Sequence, residues 1–196
     1  HIQSQYDKGI TLEWVGISMG GLIGMILAIQ PNVLVPIKKL VLSDIGPLIP
    51  AVALRRIADY VGKDPRFDSF EAFKNYMKAI SVSFGPLTEE QWNHMAIHSA
   101  HQYEDGSYGF RYDPRIAISF KEHEIQDIYL WEQWDQLKVP TLVLRGMQSD
   151  VLTIETAAQM QARGAKAKVV ELPGVGHAPM IMDDQQIQIV RDFILN

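Results

Sequence analysis

Apolar residues in this chain occur in short continuous runs that are separated by segments with helical spacing. The short runs are rich in branched side chains and predict four β-strands, at residues 10–17, 38–43, 140–145 and 167–172. Segments whose apolar positions repeat about every 3.6 residues predict helices at residues 153–163 and 184–195. The strongly apolar run at residues 22–30, which stops at Pro31, predicts a buried helix. Continuous apolar strands that alternate with helices are typical of a parallel sheet with helices on both faces. The sequence therefore predicts an α/β fold with a mostly parallel sheet.

A long segment, residues 45–139, interrupts this alternation between the second and third predicted strands. It contains two residue pairs with the spacing of a helix capping box, Asp68 with Glu71 and Thr88 with Gln91. Its many aromatic residues either form a small core of their own or line a binding pocket. An insertion at the carboxyl edge of a parallel sheet is a usual place for a lid. The expected domains are a core, residues 1–44 and 140–196, and a helical cap, residues 45–139.

Composition narrows the possible partners. The chain has 196 residues, 47% apolar and 21% charged, which suits one domain with an elaboration. It contains no cysteine, which excludes disulfides, a thiol nucleophile and cysteine-based metal sites. The net charge of −5 and the lack of a basic tract argue against nucleic acid and anionic membranes as partners.

The longest nearly apolar run, residues 14–29, is shorter than the roughly 18 residues of a membrane span. With no signal-peptide pattern, the expected location is the cytoplasm.

Ser18 stands at the centre of the segment Gly16-Ile17-Ser18-Met19-Gly20, between a predicted strand and a predicted helix. This spacing is typical of a nucleophile elbow, in which small residues on either side of the serine allow a tight turn. The turn raises the serine hydroxyl above the sheet edge and points the positive end of the helix at it. The backbone N–H of Met19 is then the candidate donor to an oxyanion. The alternative is a glycine-rich turn with a capping serine.

His177 is the candidate general base, because it alone of the six histidines lies in a loop of small residues just after a predicted strand. A serine hydroxyl is a weak nucleophile until a base removes its proton, and imidazole titrates in the range that this requires. The imidazole in turn needs a carboxylate that accepts its Nδ1–H. Asp150 and Asp44 both follow predicted strands, so either could be that carboxylate.

Three segments together resemble the nucleophile, acid and histidine motifs of α/β-hydrolases. They are Gly16-Ile17-Ser18-Met19-Gly20-Gly21, Arg145-Gly146-Met147-Gln148-Ser149-Asp150 and Gly174-Val175-Gly176-His177-Ala178-Pro179. Their order along the chain is the order of that fold, and the Asp-Ile-Gly-Pro segment at residues 44–47 is similar to bacterial members. The resemblance implies a serine hydrolase that acts on an acyl compound beneath a helical cap and needs no cofactor or metal. By family position, it favours Asp150 over Asp44 as the acid.

The expected reaction is hydrolysis of a carboxylic ester, or a related acyl bond of a small molecule, through Ser18, His177 and Asp150 and an acyl-enzyme. One alternative on the same fold is carbon–carbon bond hydrolysis of a vinylogous keto acid, whose carboxylate would need a cationic clamp. The candidates for that clamp are Arg55, Arg56 and Arg111. Another alternative is a non-catalytic or truncated relative that only binds a ligand. A dinucleotide-binding unit fits less well, because Ser18 replaces the glycine that lets the backbone approach a pyrophosphate.

His94, His98 and His101 have the spacing of one face of a helix, so they form a candidate metal site. The segment lacks the glutamate that zinc-peptidase helices place beside their first histidine. We therefore expect these histidines to have a surface or pocket role on a cap helix, with no metal.

An α/β-hydrolase sheet has further strands before the nucleophile strand, and residues 1–9 are too few to form them. Residues 11–15 would then form an apolar sheet edge, which natural proteins rarely leave bare. We therefore expect either that the sequence is a fragment of a longer enzyme, or that self-association or another polypeptide covers this edge.

Overall fold

The computed structural model of the chain describes residues 10–33 and 35–196. The central strands are β1 (Leu12–Ile17), β2 (Ile37–Ser43), β7 (Thr141–Gly146) and β8 (Lys168–Leu172). They form one parallel sheet in the spatial order β1–β2–β7–β8. The predicted α/β fold is confirmed, and each predicted strand differs from the observed one by at most two residues at either end.

Helices cover both faces of this sheet. The predicted core helices correspond to α1 (Met19–Ala28), α7 (Ile154–Ala162) and α8 (Asp184–Leu195). Side chains that alternate along β2 and β7 enter two separate apolar cores, as a sheet buried on both faces requires. One core contains Leu40, Leu42 and Val143 together with Met25 of α1 and Met160 of α7. The other contains Val41, Leu142 and Leu144 together with Val190 of α8.

The segment between β2 and β7 forms small sheets and helices with a core of their own. Its elements are β3 (Leu48–Ile49), α2 (Ala51–Ala58), α3 (Phe70–Ile80), α4 (Glu89–Ser99), β4 (Ala100–Gln102), β5 (Tyr108–Phe110), α5 (Ile118–Glu122), β6 (Ile128–Tyr129), α6 (Trp131–Gln136) and two 3-10 turns, Val82–Phe84 and Pro114–Ala117. Phe73, Met77 and Trp92 are buried together, and further aromatic residues pack around them. Most of the insertion's aromatic residues therefore stabilise the insertion itself. Across the described residues, no helix is long and apolar enough to cross a membrane.

Two helix starts in the insertion test the capping predictions. Thr88 and Gln91 form the predicted capping box at the start of α4, with each side chain bonded to the other's backbone N–H. At the start of α3 the prediction is wrong by one residue. Ser69, not Asp68, is the N-cap, and its hydroxyl accepts a hydrogen bond from the N–H of Ala72 at 3.2 Å. Ser and Asp are similarly good N-caps, so the sequence pattern alone does not separate these two neighbours.

Strand β1 lies at one edge of the sheet. It pairs with β2, and within residues 10–33 and 35–196 no second strand pairs with it. Val15 of this strand is 43% exposed. The expectation that a further segment, a second copy or another polypeptide covers this edge stays a prediction.

Candidate active site

Ser18 occupies the sharp turn between β1 and α1, at the carboxyl edge of the sheet. Its backbone has φ 50° and ψ −118°, a conformation that residues other than glycine rarely adopt. The N–H of Ser18 donates to the carbonyl oxygen of Ser43 at 3.0 Å, and the N–H of Gly21 donates to the carbonyl of Ser18 at 2.8 Å. These bonds hold the strained turn against the neighbouring strand. The turn has the backbone character of a nucleophile elbow.

The tightness of this turn explains the glycine before it. A Cβ atom at Gly16 would lie 2.3 Å from the carbonyl oxygen of Gly20, which is backbone and cannot rotate away. At Gly20, by contrast, an added Cβ would meet no atom within 4 Å. The two glycines of the motif therefore differ in what they contribute: only Gly16 is required by the close approach of strand and helix.

Gly16→Ala should lower the free energy of unfolding by about 2 kcal/mol or more, because overpacking against backbone costs energy on this scale. Gly20→Ala is the matched control. It places a better helix former in the first turn of α1, and it should leave stability unchanged or slightly raised. Urea denaturation followed by circular dichroism measures both variants. If the two variants were equally stable, the close approach at position 16 would be disproved.

The hydroxyl of Ser18 and the ring of His177 are in direct contact. Ser18 Oγ lies 2.9 Å from His177 Nε2, within hydrogen-bond distance. His177 is in the loop after β8 and is only 7% exposed, so water has little access to its ring. Met19, the candidate oxyanion donor, is the first residue of α1. The N–H groups at the first turn of a helix have no intrahelical acceptor, which leaves this one free to bind an oxyanion beside Ser18.

Asp44 is the carboxylate that contacts the histidine. His177 Nδ1 lies 2.8 Å from Asp44 Oδ2, and the Asp44 side chain is fully buried. Asp44 directly follows β2, which pairs with β1 so that Ser43 lies opposite Ile17. The pairing therefore brings Asp44 and Ser18 to the same edge of the sheet on neighbouring strands. The arrangement Ser18–His177–Asp44 has the hydrogen-bond order of a catalytic triad.

Asp150, which the sequence favoured as the acid, has a different partner. Its two carboxylate oxygens accept bonds from Arg56 of α2, from Nε at 2.6 Å and from a terminal nitrogen at 2.7 Å. This corrects the expectation that Asp150 receives the imidazole Nδ1–H: Arg56 of the insertion engages both of its oxygens. Hydrogen bonds from Arg56 hold the pKa of Asp150 below its usual range. The ion pair thus stabilises the fold above about pH 4, and this contribution is lost as pH falls through the lowered pKa.

Ser149 is a neighbour of Asp44 that sequence inspection did not identify as functional. Its hydroxyl donates to Asp44 Oδ2, the oxygen that also faces His177. The same hydroxyl accepts the N–H groups of Val151 and Leu152, both at 3.1 Å, which fixes its orientation. The other carboxylate oxygen, Oδ1, accepts the N–H of Gly146 at 2.8 Å. The segment that was expected to supply the acid therefore supplies donors that hold the acid in place.

A turn of the insertion contacts the histidine loop. Ser83, in the 3-10 turn after α3, donates its hydroxyl to the carbonyl oxygen of His177, and its own carbonyl accepts the N–H of Gly176 at 2.8 Å. A Cβ at Gly85 would lie 2.8 Å from Val175 of the same loop. The insertion is therefore packed directly on the loop that carries the candidate base. No sequence motif indicates Ser83, since the contact joins segments 94 residues apart.

The three histidines of the candidate metal site do not share one helix. Helix α4 ends at Ser99, and His101 lies in β4 with its ring against Tyr103. His94 and His98 stay together on α4, with ring centroids 4.5 Å apart. Among the described residues, no group of three or more His, Asp or Glu is placed to hold a metal ion. The predicted shared helix face is wrong, because the chain turns into a strand at Ala100.

The three candidate clamp arginines bond to three different partners. Arg55 donates to the carbonyl oxygen of Ile125 at 3.1 Å, and Arg56 is engaged by Asp150. Arg111 donates Nε to the carbonyl oxygen of Ala100 at 3.2 Å and lines a cavity of the insertion.

Comparison with protein families matches residues 14–190 to the alpha/beta hydrolase family. A 3-hydroxybutyrate-oligomer hydrolase from Cupriavidus necator is 43% identical to this chain over 190 residues. That match includes 93% of this chain and 64% of the relative. The chain thus spans just under two thirds of the length of this relative.

Solved structures give the same fold. A putative hydrolase from Rickettsia typhi superposes with a TM-score of 0.82 at 33% identity, covering 92% of this chain and 62% of that protein. An alpha/beta hydrolase from Novosphingobium aromaticivorans superposes with a TM-score of 0.79 at 31% identity, covering 92% and 64%.

Proposed function

Because the chain belongs to the alpha/beta hydrolase family, we propose that it hydrolyses carboxylic esters with Ser18 as nucleophile, His177 as general base and Asp44 as acid. The observation that carries this proposal is the continuous hydrogen-bond path from Ser18 Oγ through the His177 ring to Asp44, with contacts of 2.9 and 2.8 Å. Burial of Asp44 and His177 strengthens both interactions, because water does not compete with them.

In the proposed reaction, Ser18 Oγ attacks the ester carbonyl carbon while His177 Nε2 takes the hydroxyl proton. Asp44 fixes the ring tautomer through Nδ1 and stabilises the imidazolium that forms. The backbone N–H of Met19 binds the oxyanion of the tetrahedral intermediate. The intermediate collapses when His177 returns the proton to the leaving alkoxide, which leaves an acyl-enzyme. A water molecule then attacks the acyl carbon by the same proton transfers, releasing the acid and restoring Ser18.

The proposed substrate class is short esters of hydroxy acids. The supporting observation is the 43% identity to a relative named as a 3-hydroxybutyrate-oligomer hydrolase. Asp150, the neighbour of Ser149 in the chain, is paired with Arg56, so the pair adds no net charge that would repel an anionic substrate.

The test of the proposed function is hydrolysis by the purified protein. The substrates are p-nitrophenyl esters of increasing acyl length and linear dimers and trimers of 3-hydroxybutyrate, with product acids measured by chromatography. We expect turnover of the short esters and release of 3-hydroxybutyrate. A protein that hydrolyses none of them and does not react with a fluorophosphonate probe would refute the proposal.

We propose Ser149 as a positioning residue for this reaction, because its hydroxyl holds the oxygen of Asp44 that faces His177. Ser149→Ala should lower kcat about tenfold or more and leave KM almost unchanged. A hydrogen bond to a charged group contributes about 1.5–3 kcal/mol, and losing it leaves the Asp44 oxygen that faces His177 less firmly held. Ser149→Thr keeps the hydroxyl and should restore most of kcat.

Two measurements separate this role from a general loss of structure. The melting temperature of Ser149→Ala reports any unfolding, and Ser107→Ala, which removes a surface hydroxyl that bonds only Asp105, should keep wild-type kcat. An unchanged kcat in Ser149→Ala, or a loss of kcat that comes with a large change in KM and that Thr does not rescue, would contradict the positioning role.

A further inference from the structure

The insertion contains a cavity of about 560 Å³ that the proposed mechanism has not used. It lies among the chain after α2, helices α3 and α4, strand β5 and the loop that follows His177. Its walls are largely apolar, and they include Met77, Ile80, Phe84, Met95 and Phe110. This volume falls within the range of small-molecule sites, which are lined mostly by apolar side chains and a few polar groups.

Two parts of the wall connect this cavity to the candidate catalytic loop. Met180, which lies three residues after His177, forms part of the lining. Ser81 and Phe84 also line it, and they flank Ser83, whose hydroxyl bonds to the carbonyl oxygen of His177. A ligand in the cavity would therefore lie against the same turn and the same loop that support the histidine.

Arg111 gives this cavity a positive charge. Among the described residues that line the cavity, it is the one Lys or Arg, and none is Asp or Glu. The bond from its Nε to the carbonyl oxygen of Ala100 fixes the base of the guanidinium. Among the described residues, none forms an ion pair with Arg111, in contrast to Arg56. A guanidinium with its terminal nitrogens unpaired is suited to bind a carboxylate.

We propose that this cavity binds the part of the substrate distal to the scissile ester, and that Arg111 binds a carboxylate at its end. The preferred substrates are then esters of short hydroxy acids with a free terminal carboxylate, the group that every linear oligomer of a hydroxy acid carries. The apolar wall accommodates the hydrocarbon part of each unit, and Arg111 distinguishes the acid from its neutral ester. This inference rests on the proposed function and adds a specificity residue to it.

The test compares two substrates that differ only in charge: a linear 3-hydroxybutyrate trimer with a free carboxylate and its methyl ester. In Arg111→Met, kcat/KM for the free acid should fall about tenfold or more, mainly through KM, since a charge-assisted hydrogen bond is lost. For the methyl ester, kcat/KM should stay within about twofold of the wild-type value. Arg111→Lys keeps the charge without the planar fork, so its kcat/KM for the free acid should lie between those of wild type and Arg111→Met.

Arg115→Met is the matched control, because Arg115 is exposed and paired with Asp113 away from the cavity. It should change neither substrate's kinetics. Calorimetric binding of the free trimer to Ser18→Ala, and to Ser18→Ala combined with Arg111→Met, measures the same contact without turnover. The proposal would be overturned if the ratio of kcat/KM for the acid to that for the methyl ester were the same in wild type and in Arg111→Met. It would also be overturned if the two binding variants had equal affinity for the trimer. A different outcome is that wild type hydrolyses neither the free trimer nor its methyl ester while Arg111→Met still weakens trimer binding in the Ser18→Ala background. That result would refute the proposed catalysis and support the proposed binding site.

Discussion

Ser18→Ala should reduce kcat for ester hydrolysis by about 10⁵- to 10⁶-fold, since loss of the serine in a triad removes the covalent route altogether. The oxyanion donor and the binding cavity would remain, so some rate above that in water should persist. The reaction is measured with a p-nitrophenyl ester at saturating concentration. In parallel, a fluorophosphonate probe should label the wild-type protein at Ser18 and leave the Ala variant unlabelled.

The control for this variant is again a hydroxyl outside the site. Ser107→Ala should react with the probe at the wild-type rate, because Ser107 bonds to Asp105 in a surface turn. Ala at position 18 keeps the Cβ and removes only the hydroxyl that contacts His177, so the variant should stay folded. Retention of full activity or labelling in Ser18→Ala would show that another residue is the nucleophile.

Asp44→Asn should lower kcat by about 10⁴-fold, whereas Asp150→Asn should lower it by no more than a few-fold. Asn at position 44 can still accept the N–H of Gly146, but it no longer accepts the imidazole Nδ1–H and favours the wrong ring tautomer. Asp150 bonds to Arg56 and does not touch the histidine. Steady-state kinetics of the two variants with the same ester give the comparison.

Asp150→Asn is the control for Asp44→Asn, since both replace a carboxylate that follows a sheet strand. The change at position 150 should act mainly on stability. It removes a half-exposed ion pair, which is worth about 0.2–1 kcal/mol. A large loss of kcat in Asp150→Asn with little change in Asp44→Asn would assign the acid role to Asp150.

The sequence was sufficient to predict the sheet, its parallel sense and the position of Ser18, because each rests on a local pattern. Buried strands leave continuous apolar runs, and the elbow needs glycine within two residues of the serine. The same local reasoning placed both Asp44 and Asp150 at the sheet edge. It could not choose between them, because the choice depends on contacts between distant segments.

The deciding contacts come from side chains far away along the chain. Arg56, 94 residues from Asp150, occupies both oxygens of that carboxylate. Ser149 lies 105 residues from Asp44 and donates to it. Arg56 belongs to no motif, and Ser149 lies in the acid segment without any pattern that marks it as the partner of Asp44. The resemblance favoured Asp150 because its position in the chain is one where the family commonly has an acid. That position carries no information about the side chains that surround Asp150 in this structure.

The end of α4 shows the same limit for secondary structure. Histidines at positions 94, 98 and 101 fit one helix face by spacing, and no Pro or Gly stands between them to stop the helix. The helix nevertheless ends at Ser99, where Ala100 to Gln102 pair with Tyr108 to Phe110. Tertiary pairing with a later segment overrode local helical preference, which only the folded chain reveals.

The contact of Ser83 with the backbone of His177 joins the insertion to the loop that carries the proposed base. If the insertion swung outward as a rigid body at this end, it would pull on the carbonyl of His177, whose ring lies 2.9 Å from Ser18 Oγ. If the insertion moves when an ester enters, we expect the turn at Val82–Phe84 to stay in place and the movement to occur elsewhere in the insertion. Labels on this turn and on the loop of His177 should accordingly report little relative motion during turnover.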